Sequence, residues 1–356
     1  MPAAGLAAVM DAEEQIIAAR RRRPAVMSDV GRLAGVSHQT VSRVVNGSPH
    51  VRPETRQRVI AAMRELGYRP NSVARALATG RTNTLGVVSF DTTLYGPAST
   101  LFGIERAAHD AGYFIIVASL KALDRSSLSE AIERLRRHGV DGILVIAPYQ
   151  EAADALLDAP RDIPLAAVEA GPSGSIPVVE VDQFAGAASA TQHLLELGHP
   201  TVWHISGPSD FLESRKRLEG WRATLEKAEA EIPPPLVGDW SASAGYNLGR
   251  RVEDESDVSA IFVANDQMAL GVLRAMNEAG REIPGEVSVV GFDDIPESPY
   301  FTPPLTTVRQ DFNEVGTRSV RLLLETMETG EQIAPGSMVQ PELVVRASTA
   351  IAGGSR

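Results

Sequence analysis

From Thr84 onward the chain alternates short apolar runs with longer amphipathic stretches, and that alternation restricts it to few folds. The runs Leu85–Ser89, Phe114–Ser119, Gly142–Ala147, Leu165–Val168, Val178–Val181, Thr201–Ser206, Ala260–Ala264 and Val287–Phe292 have strand length and are rich in β-branched residues. Helical spacing falls between them, as in Thr100–Ala111, Leu128–His138, Ala185–Leu197 and Asp266–Ala279. Strand and helix in turn imply parallel sheets covered by helices, the doubly wound α/β class. Roughly nine such units exceed one ordinary sheet, so two similar Rossmann-like lobes with a cleft between them are expected. The 356 residues, 44% of them apolar, suffice for two or three folded units.

A different texture precedes Thr84. Near Asp29–Ala34 the apolar positions Val30, Leu33 and Ala34 recur at helical spacing, and Gly35 supplies the break. Ser37 is a good N-cap for a second helix running to Asn46, with Val41, Val44 and Val45 on one face. Pro53 and Glu54 open a third, which Gly67 closes. Helix, tight turn, helix, loop, helix is the outline of a small all-α DNA-reading headpiece.

Charge supports that division. The net charge of −11 conceals 13 arginines in residues 20–81, opposed there only by Asp29, Glu54 and Glu65; this block carries +10 and the remainder −21. A basic block on an acidic body suits contact with a polyanion through the block alone, although Arg20–Arg23 by themselves read equally well as a solvated charge run. In the second helix the valines fix the buried side, which leaves His38, Gln39, Ser42 and Arg43 on the other. Arginine can engage the O6/N7 edge of guanine bidentately and glutamine the N6/N7 edge of adenine, so His38, Gln39 and Arg43 are the candidate base readers. Ser37, Thr40 and Ser42, with the helix N-terminus, suit phosphate oxygens. The plain alternative is a solvated polar face on a small bundle.

Several functional classes are disfavoured. The chain has no cysteine, which removes disulfide frameworks and thiolate metal sites and fits a reducing cytoplasm. No apolar run approaches the roughly 20 residues of a membrane span, and Met1–Met10 lacks the basic start of a secretion signal. Neither a Gly-x-Gly-x-x-Gly run nor a P-loop is present, and His193, His199 and His204 have no metal-ligand company, so neither catalysis, a metal nor a cofactor is expected.

The run Val36-Ser37-His38-Gln39-Thr40-Val41-Ser42-Arg43-Val44-Val45-Asn46-Gly47, then Arg56–Tyr68 and Arg69-Pro70-Asn71, resembles the headpiece of the LacI/GalR family of transcriptional repressors. The resemblance continues without a gap through Asn71-Ser72-Val73-Ala74-Arg75-Ala76-Leu77-Ala78, the hinge in that family. It implies a disordered basic arm over 1–25, a headpiece over 26–70, a hinge helix and linker over 71–82, a periplasmic-binding-protein-like effector module over 83–348 and a tail over 349–356, of which the small, polar Ile351–Arg356 is expected to fray. Within the module it implies a first lobe of 83–181 and 311–339 and a second of 182–310 and 340–348. It adds Asn46, His50 and Thr55 to the phosphate-positioning set and places Asn71, Ala74, Arg75 and Leu77 in the minor groove, with Leu77 as the wedge that opens a base step. One position departs from the pattern: Val26 stands where relatives cap the first helix with threonine. Valine cannot accept the N–H bond, so either Ser28 takes over or the helix frays.

The resemblance extends through Gly238-Asp239-Trp240-Ser241-Ala242, Val263-Ala264-Asn265-Asp266-Gln267-Met268-Ala269-Leu270-Gly271 and Pro304-Leu305-Thr306-Thr307-Val308-Arg309-Gln310-Asp311-Phe312. It implies effector contacts at Arg217, Trp240, Asn265, Asp293 and Phe312, with Glu169 in place of an aspartate. The residue types suit a sugar: carboxylate, amide and guanidinium groups for vicinal hydroxyls, aromatic rings for the C–H face. Each has a plainer reading, Asp293 as a loop cap, Asn265 as a helix cap and Phe312 as core. The whole implies a homodimer on a pseudo-palindromic double-stranded operator, controlling carbohydrate-utilisation genes and released by a sugar inducer, with purine or phosphosugar corepression as the alternative. No counterpart of the leucine-repeat helix that joins dimers into tetramers in some relatives follows Thr349.

Overall fold

The computed structural model describes residues 25–69, 76, 80–90, 93–120, 125–160, 162–171, 176–252, 258–330 and 336–353. Residues 1–24 of the expected N-terminal arm and the hinge positions Asn71, Ala74, Arg75 and Leu77 lie outside them. Two compact units divide at Thr82/Asn83.

The first unit contains α1 (Met27–Ala34), α2 (His38–Val45) and α3 (Pro53–Glu65). Its core is small: Val30, Ala34, Val41, Val44, Val59 and Ala62, ringed by half-buried Met27, Val36, Val45, Val51, Met63 and Tyr68. Gly35 takes the left-handed conformation (φ 62°) that ends α1 and turns the chain into α2. Ser37 then caps α2, its Oγ accepting from the Thr40 N–H at 3.2 Å. At Val26 neither expected outcome holds. The side chain accepts nothing, but the Asp29 carboxylate accepts the Val26 N–H at 3.1 Å, and α1 forms through half of a capping box. Supplying the missing acceptor with Val26→Thr is expected to stabilise the headpiece by about 0.5–1 kcal/mol. Slower hydrogen exchange of the α1 amides in the full chain would register it.

The second unit holds two sheets. Its elements run β1 (Thr84–Phe90), α4 (Tyr95–Asp110), β2 (Phe114–Leu120), α5 (Arg125–Arg137), β3 (Gly142–Ile146), α6 (Gln150–Leu156), β4 (Leu165–Val168) and β5 (Val178–Val181). Next come α7 (Gln183–Glu196), β6 (Trp203–Ser206), α8 (Leu212–Lys227), β7 (Leu236–Val237), α9 (Ala242–Val252), β8 (Ala260–Val263), α10 (Asp266–Glu278) and β9 (Ser288–Val290). A 3-10 turn at Ser298–Tyr300 precedes β10 (Thr307–Arg309), α11 (Phe312–Thr329), β11 (Ser337–Val339) and β12 (Glu342–Val344).

The first lobe is a parallel sheet in the order β11-β5-β4-β3-β1-β2, and the second a parallel sheet in the order β7-β6-β8-β9. The chain passes between lobes at 181–183, 309–312 and 339–342, where β10 and β12 pair antiparallel as a ribbon. The return of α11 to the first lobe, packed on α4, closes that lobe's core around Leu85, Ile104, Leu144, Val179, Val315 and Leu323.

Two expectations need correction. The helix expected from Thr100 begins at Tyr95, because Pro97 falls in its first turn, where a missing N–H is harmless, whereas Gly96-Pro97 reads as a loop. The tail is not frayed at Ile351–Gly353: the Ala352 N–H donates to the Leu197 carbonyl at 2.9 Å. Before it, His199 Nε2 meets the Ala350 carbonyl at 3.2 Å and His193 Nε2 meets Thr349 Oγ1 at 3.0 Å.

Candidate functional site

On α2 the sequence-predicted readers are free to act. His38, Gln39, Arg43 and Asn46 are exposed, as are Ser37 and His50, while Thr40, Ser42 and Thr55 are half-buried. The opposite face is locked inward by Val41 and Val44. Local bonds orient the short polar groups: Ser37 Oγ pairs with Thr40 Oγ1 at 3.0 Å, and Asn46 Nδ2 donates to Ser42 Oγ at 3.4 Å. Arg56 donates to the Ser48 carbonyl at 2.6 Å, fixing the loop that follows α2.

In the second unit a cavity of about 300 Å³ opens at the carboxyl ends of the strands, the usual place for a ligand in such sheets. Arg217, Trp240, Asn265 and Asp293 line it, as expected. Thr93–Pro97, Phe211, Glu213, Asp239, Ser241, Ala242, Gln267 and Gln310 complete the wall.

Arg217, on α8, is fully buried and held on several sides. Its Nε donates to Gln183 Oε1 at 2.9 Å and Nη1 to the Ala264 carbonyl at 2.5 Å; its guanidinium lies 3.8 Å over the Phe292 ring and 3.6 Å from Asp293 Oδ1. Asp293 has a left-handed backbone (φ 109°) and accepts from Gln310 Nε2 at 2.7 Å. Burial pushes its carboxyl up to about 8, a rise that the Arg217 charge opposes and that Asp266 and Glu213 reinforce. Trp240 is also left-handed (φ 73°) and rests its indole on Gly207, where any Cβ would collide with the ring. Its indole Nε1 is buried and has no partner among the described residues. Left-handed non-glycine backbone carries a steric cost, and its presence at Glu169, Trp240 and Asp293 marks a site held in shape by its surroundings.

Asn265 combines its functional and plain readings. Its Oδ1 caps α10 through the Met268 N–H (2.9 Å), and both protons of its Nδ2 are engaged, on the Trp240 carbonyl and Gln267 Oε1, each at 3.0 Å. It therefore fixes Trp240 and Gln267 more than it offers donors to a ligand.

Two expected contacts are not in the wall. Glu169 sits at the end of β4 behind it, with Oε1 accepting the Val181 N–H at 2.7 Å. Burial, then the neighbouring Glu213 charge, hold its carboxyl well above the usual range. The longer side chain, relative to aspartate, reaches back into the lobe. Phe312 opens α11 and stands behind Tyr95, edge to face at 5.8 Å, so Tyr95 presents the surface that Phe312 was expected to provide.

Among the residues missed, Glu213 is the most telling. It lines the cavity one helical turn before Arg217 on α8, and the i, i+4 spacing from a predicted contact was the available signal. Burial raises its carboxyl, Arg217 and Lys216 oppose this, and no hydrogen bond holds it among the described residues. Asp239, by contrast, is kept below the ordinary range by the Ser241 hydroxyl and N–H. The wall thus presents three carboxyls around one guanidinium already engaged, beside the apolar faces of Phe211 and Trp240, which meet edge to face at 5.4 Å.

Residues 26–71 match the family described as bacterial regulatory proteins, lacI family, and residues 191–349 match the periplasmic binding protein-like domain. The chain is 34% identical over 333 residues to the lactose operon repressor of Escherichia coli (strain K12), covering 92% of each protein. It is 33% identical to the HTH-type transcriptional repressor PurR of Haemophilus influenzae (strain ATCC 51907 / DSM 11121 / KW20 / Rd), covering 91% of this chain and 98% of that one. Among solved structures, the lac repressor dimer bound to operator and the anti-inducer ONPF aligns with a TM-score of 0.82 at 34% identity, over 92% of this chain and 100% of that one. The complex of the transcriptional regulator CelR with cellobiose aligns with a TM-score of 0.68 at 30% identity, over 91% and 99%.

Proposed function

Because this chain belongs to the LacI family of bacterial regulatory proteins, we propose that it is a ligand-responsive DNA-binding repressor whose effector is a neutral sugar acting as inducer. It binds its operator as a dimer, the form in which the lac repressor is bound to operator in the structure it resembles, and two-fold symmetry makes the site pseudo-palindromic. His38, Gln39 and Arg43 read base edges; Ser37, Thr40, Ser42, Asn46, His50 and Thr55 position the phosphates. The minor-groove role of Asn71, Ala74, Arg75 and Leu77 rests on the sequence. Phe102 on α4 and Phe114 on the edge strand β2, 63% and 73% exposed on packed neighbouring elements, offer an apolar surface for the second copy. The relatives are repressors, and regulation rather than catalysis is the function assigned.

One observation carries the choice of effector: the cavity presents Glu213, Asp239 and Asp293 around an Arg217 that is already bonded. A phosphate entering there would meet three carboxyl groups and, among the lining residues, no cation other than the already bonded Arg217, whereas vicinal hydroxyls would find hydrogen-bond partners and the C–H face of a sugar would find Phe211 and Trp240. Glycoside-like sugars of carbohydrate-utilisation operons are the proposed class.

The test uses duplex DNA that the full-length protein selects from a random pool, labelled and titrated with cellobiose, lactose, ribose, glucose 6-phosphate and hypoxanthine. A neutral saccharide should lower DNA affinity about tenfold or more, within the usual range of allosteric coupling. Tightening by the phosphate ester or the purine would overturn induction in favour of corepression. No response to any saccharide would overturn the sugar assignment.

A further inference from the structure

Two buried glutamines tie the cavity to the crossings between the lobes. Gln183, 0% exposed, opens α7 directly after the first crossing; Gln310, 7% exposed, stands between β10 and α11 at the second. Arg217 Nε donates to Gln183 Oε1 (2.9 Å), Gln183 Nε2 donates to Gln310 Oε1 (2.8 Å), and Gln310 Nε2 donates to Asp293 Oδ1 (2.7 Å). The Arg217 Nη2 group, 3.6 Å from the same Asp293 oxygen, closes the ring.

The polarity of this ring follows from its ends. Arginine can only donate, so the first amide must present its oxygen there and its nitrogen onward. The second amide must then do the same, and it meets Asp293 nitrogen first. Flipping either amide would set donor against donor, so one arrangement is favoured throughout. The third crossing joins as well: Gln340 Nε2 reaches Asp182 Oδ2 at 3.5 Å, while Asp182 Oδ1 caps α7 through the Ala185 N–H at 2.9 Å. Of the two glutamines only Gln310 lines the cavity.

We infer that Gln183 and Gln310 are positioning residues that set the angle between the lobes and carry effector occupancy from Arg217 and Asp293 to the crossings. The coupling half of this inference rests on the proposed effector site; the angle-setting half does not. A ligand that draws on the guanidinium or the Asp293 carboxyl must strain or rearrange the ring, and because the ring bonds directly to segments on which the lobes pivot, its rearrangement changes the preferred pivot. A polar ring with one satisfied arrangement is a discrete element of the kind that transmits coupling.

The native chain has no cysteine, so cysteines at the exposed positions Glu130 and Arg222, one in each lobe, give unique spin-label sites. Full-length dimers diluted with unlabelled subunits report the distance within one subunit without any ligand. Gln183→Met and Gln310→Met should each shift or broaden the wild-type distance distribution, and the double variant should go no further than either, because one break opens the ring. Unchanged distributions, or effects that add in the double variant, overturn the proposal. Gln183→Asn, which keeps polarity and withdraws the amide by one methylene, gives the same reading should the methionine variant fold poorly.

Coupling supplies the second readout, with the saccharide that releases wild-type DNA in the titration above. Gln183→Met should bind it within about threefold of wild type yet lose roughly tenfold of its effect on DNA affinity. Weakened binding with coupling intact overturns the proposal. Should no saccharide act on the wild type, the sugar assignment fails while the distance measurement still decides the angle-setting role.

Discussion

Replacing Arg43 with alanine should weaken binding to the selected operator by roughly 10²- to 10⁴-fold while leaving non-specific DNA affinity nearly unchanged. The size follows from symmetry. A bidentate contact between arginine and guanine discriminates by about 1–3 kcal/mol, and a dimer on a pseudo-palindrome loses it twice. Arg43 is exposed on α2, opposite Val41 and Val44, so its removal costs the three-helix core nothing. His50→Ala is the control: an exposed group placed against phosphate should reduce specific and non-specific affinity by similar small factors. Fluorescence anisotropy on operator and scrambled duplexes at two salt concentrations measures both. Equal losses on the two duplexes for Arg43→Ala would remove Arg43 from the reading set.

That experiment bears on a part of the molecule that was legible in residue order. Helical spacing of Val41, Val44 and Val45 decides which side of α2 is buried, and the remaining side is the exposed one that carries His38, Gln39 and Arg43. The apolar runs beyond Thr84 were equally direct, because a strand covered on both faces must be apolar throughout, as β3 is. Where reading failed, the deciding interaction was remote in sequence. Ile351 looked like part of a small polar tail, and the bonds that hold its neighbours come from Leu197 and His199, about 150 residues away. Val26 lost its cap by inspection, yet Asp29 supplied the other half of the box three residues later.

The cavity of the second unit was half legible for the same reason. Residue types at Arg217, Trp240, Asn265 and Asp293 indicated a polyol site, but lining a wall is a property of direction. Glu169 has suitable chemistry and turns its carboxyl to the Val181 N–H, whereas Glu213, unremarked in sequence, faces the cavity. Nor could spacing reveal that Gln183 and Gln310 meet, since 127 residues separate them and only the two neighbouring crossings bring them together.

Asp293 makes stability depend on pH in a direction opposite to that of an ordinary salt-bridged carboxylate. In the folded chain burial raises it to about 8, so between its ordinary value near 4 and pH 8 the folded state holds a proton that the unfolded state has released. Stability falls with rising pH wherever the folded state binds more protons. The contribution is therefore fully present below pH 4 and is lost progressively as pH climbs to 8, with an upper bound on the order of 5 kcal/mol. Asp266, raised to about 6 chiefly by burial, acts in the same sense over the lower part of that window. Asp293→Asn keeps the shape and an acceptor for Gln310 but cannot titrate. Urea unfolding of the full chain at pH 5 to 9 should accordingly show the wild type losing several kcal/mol more than Asp293→Asn across the range, with most of the divergence complete by pH 8. Parallel profiles for the two proteins would mean that Asp293 is ionised in the folded state, with Arg217 as its ion-pair partner at neutral pH and the ring of glutamines closed by charge.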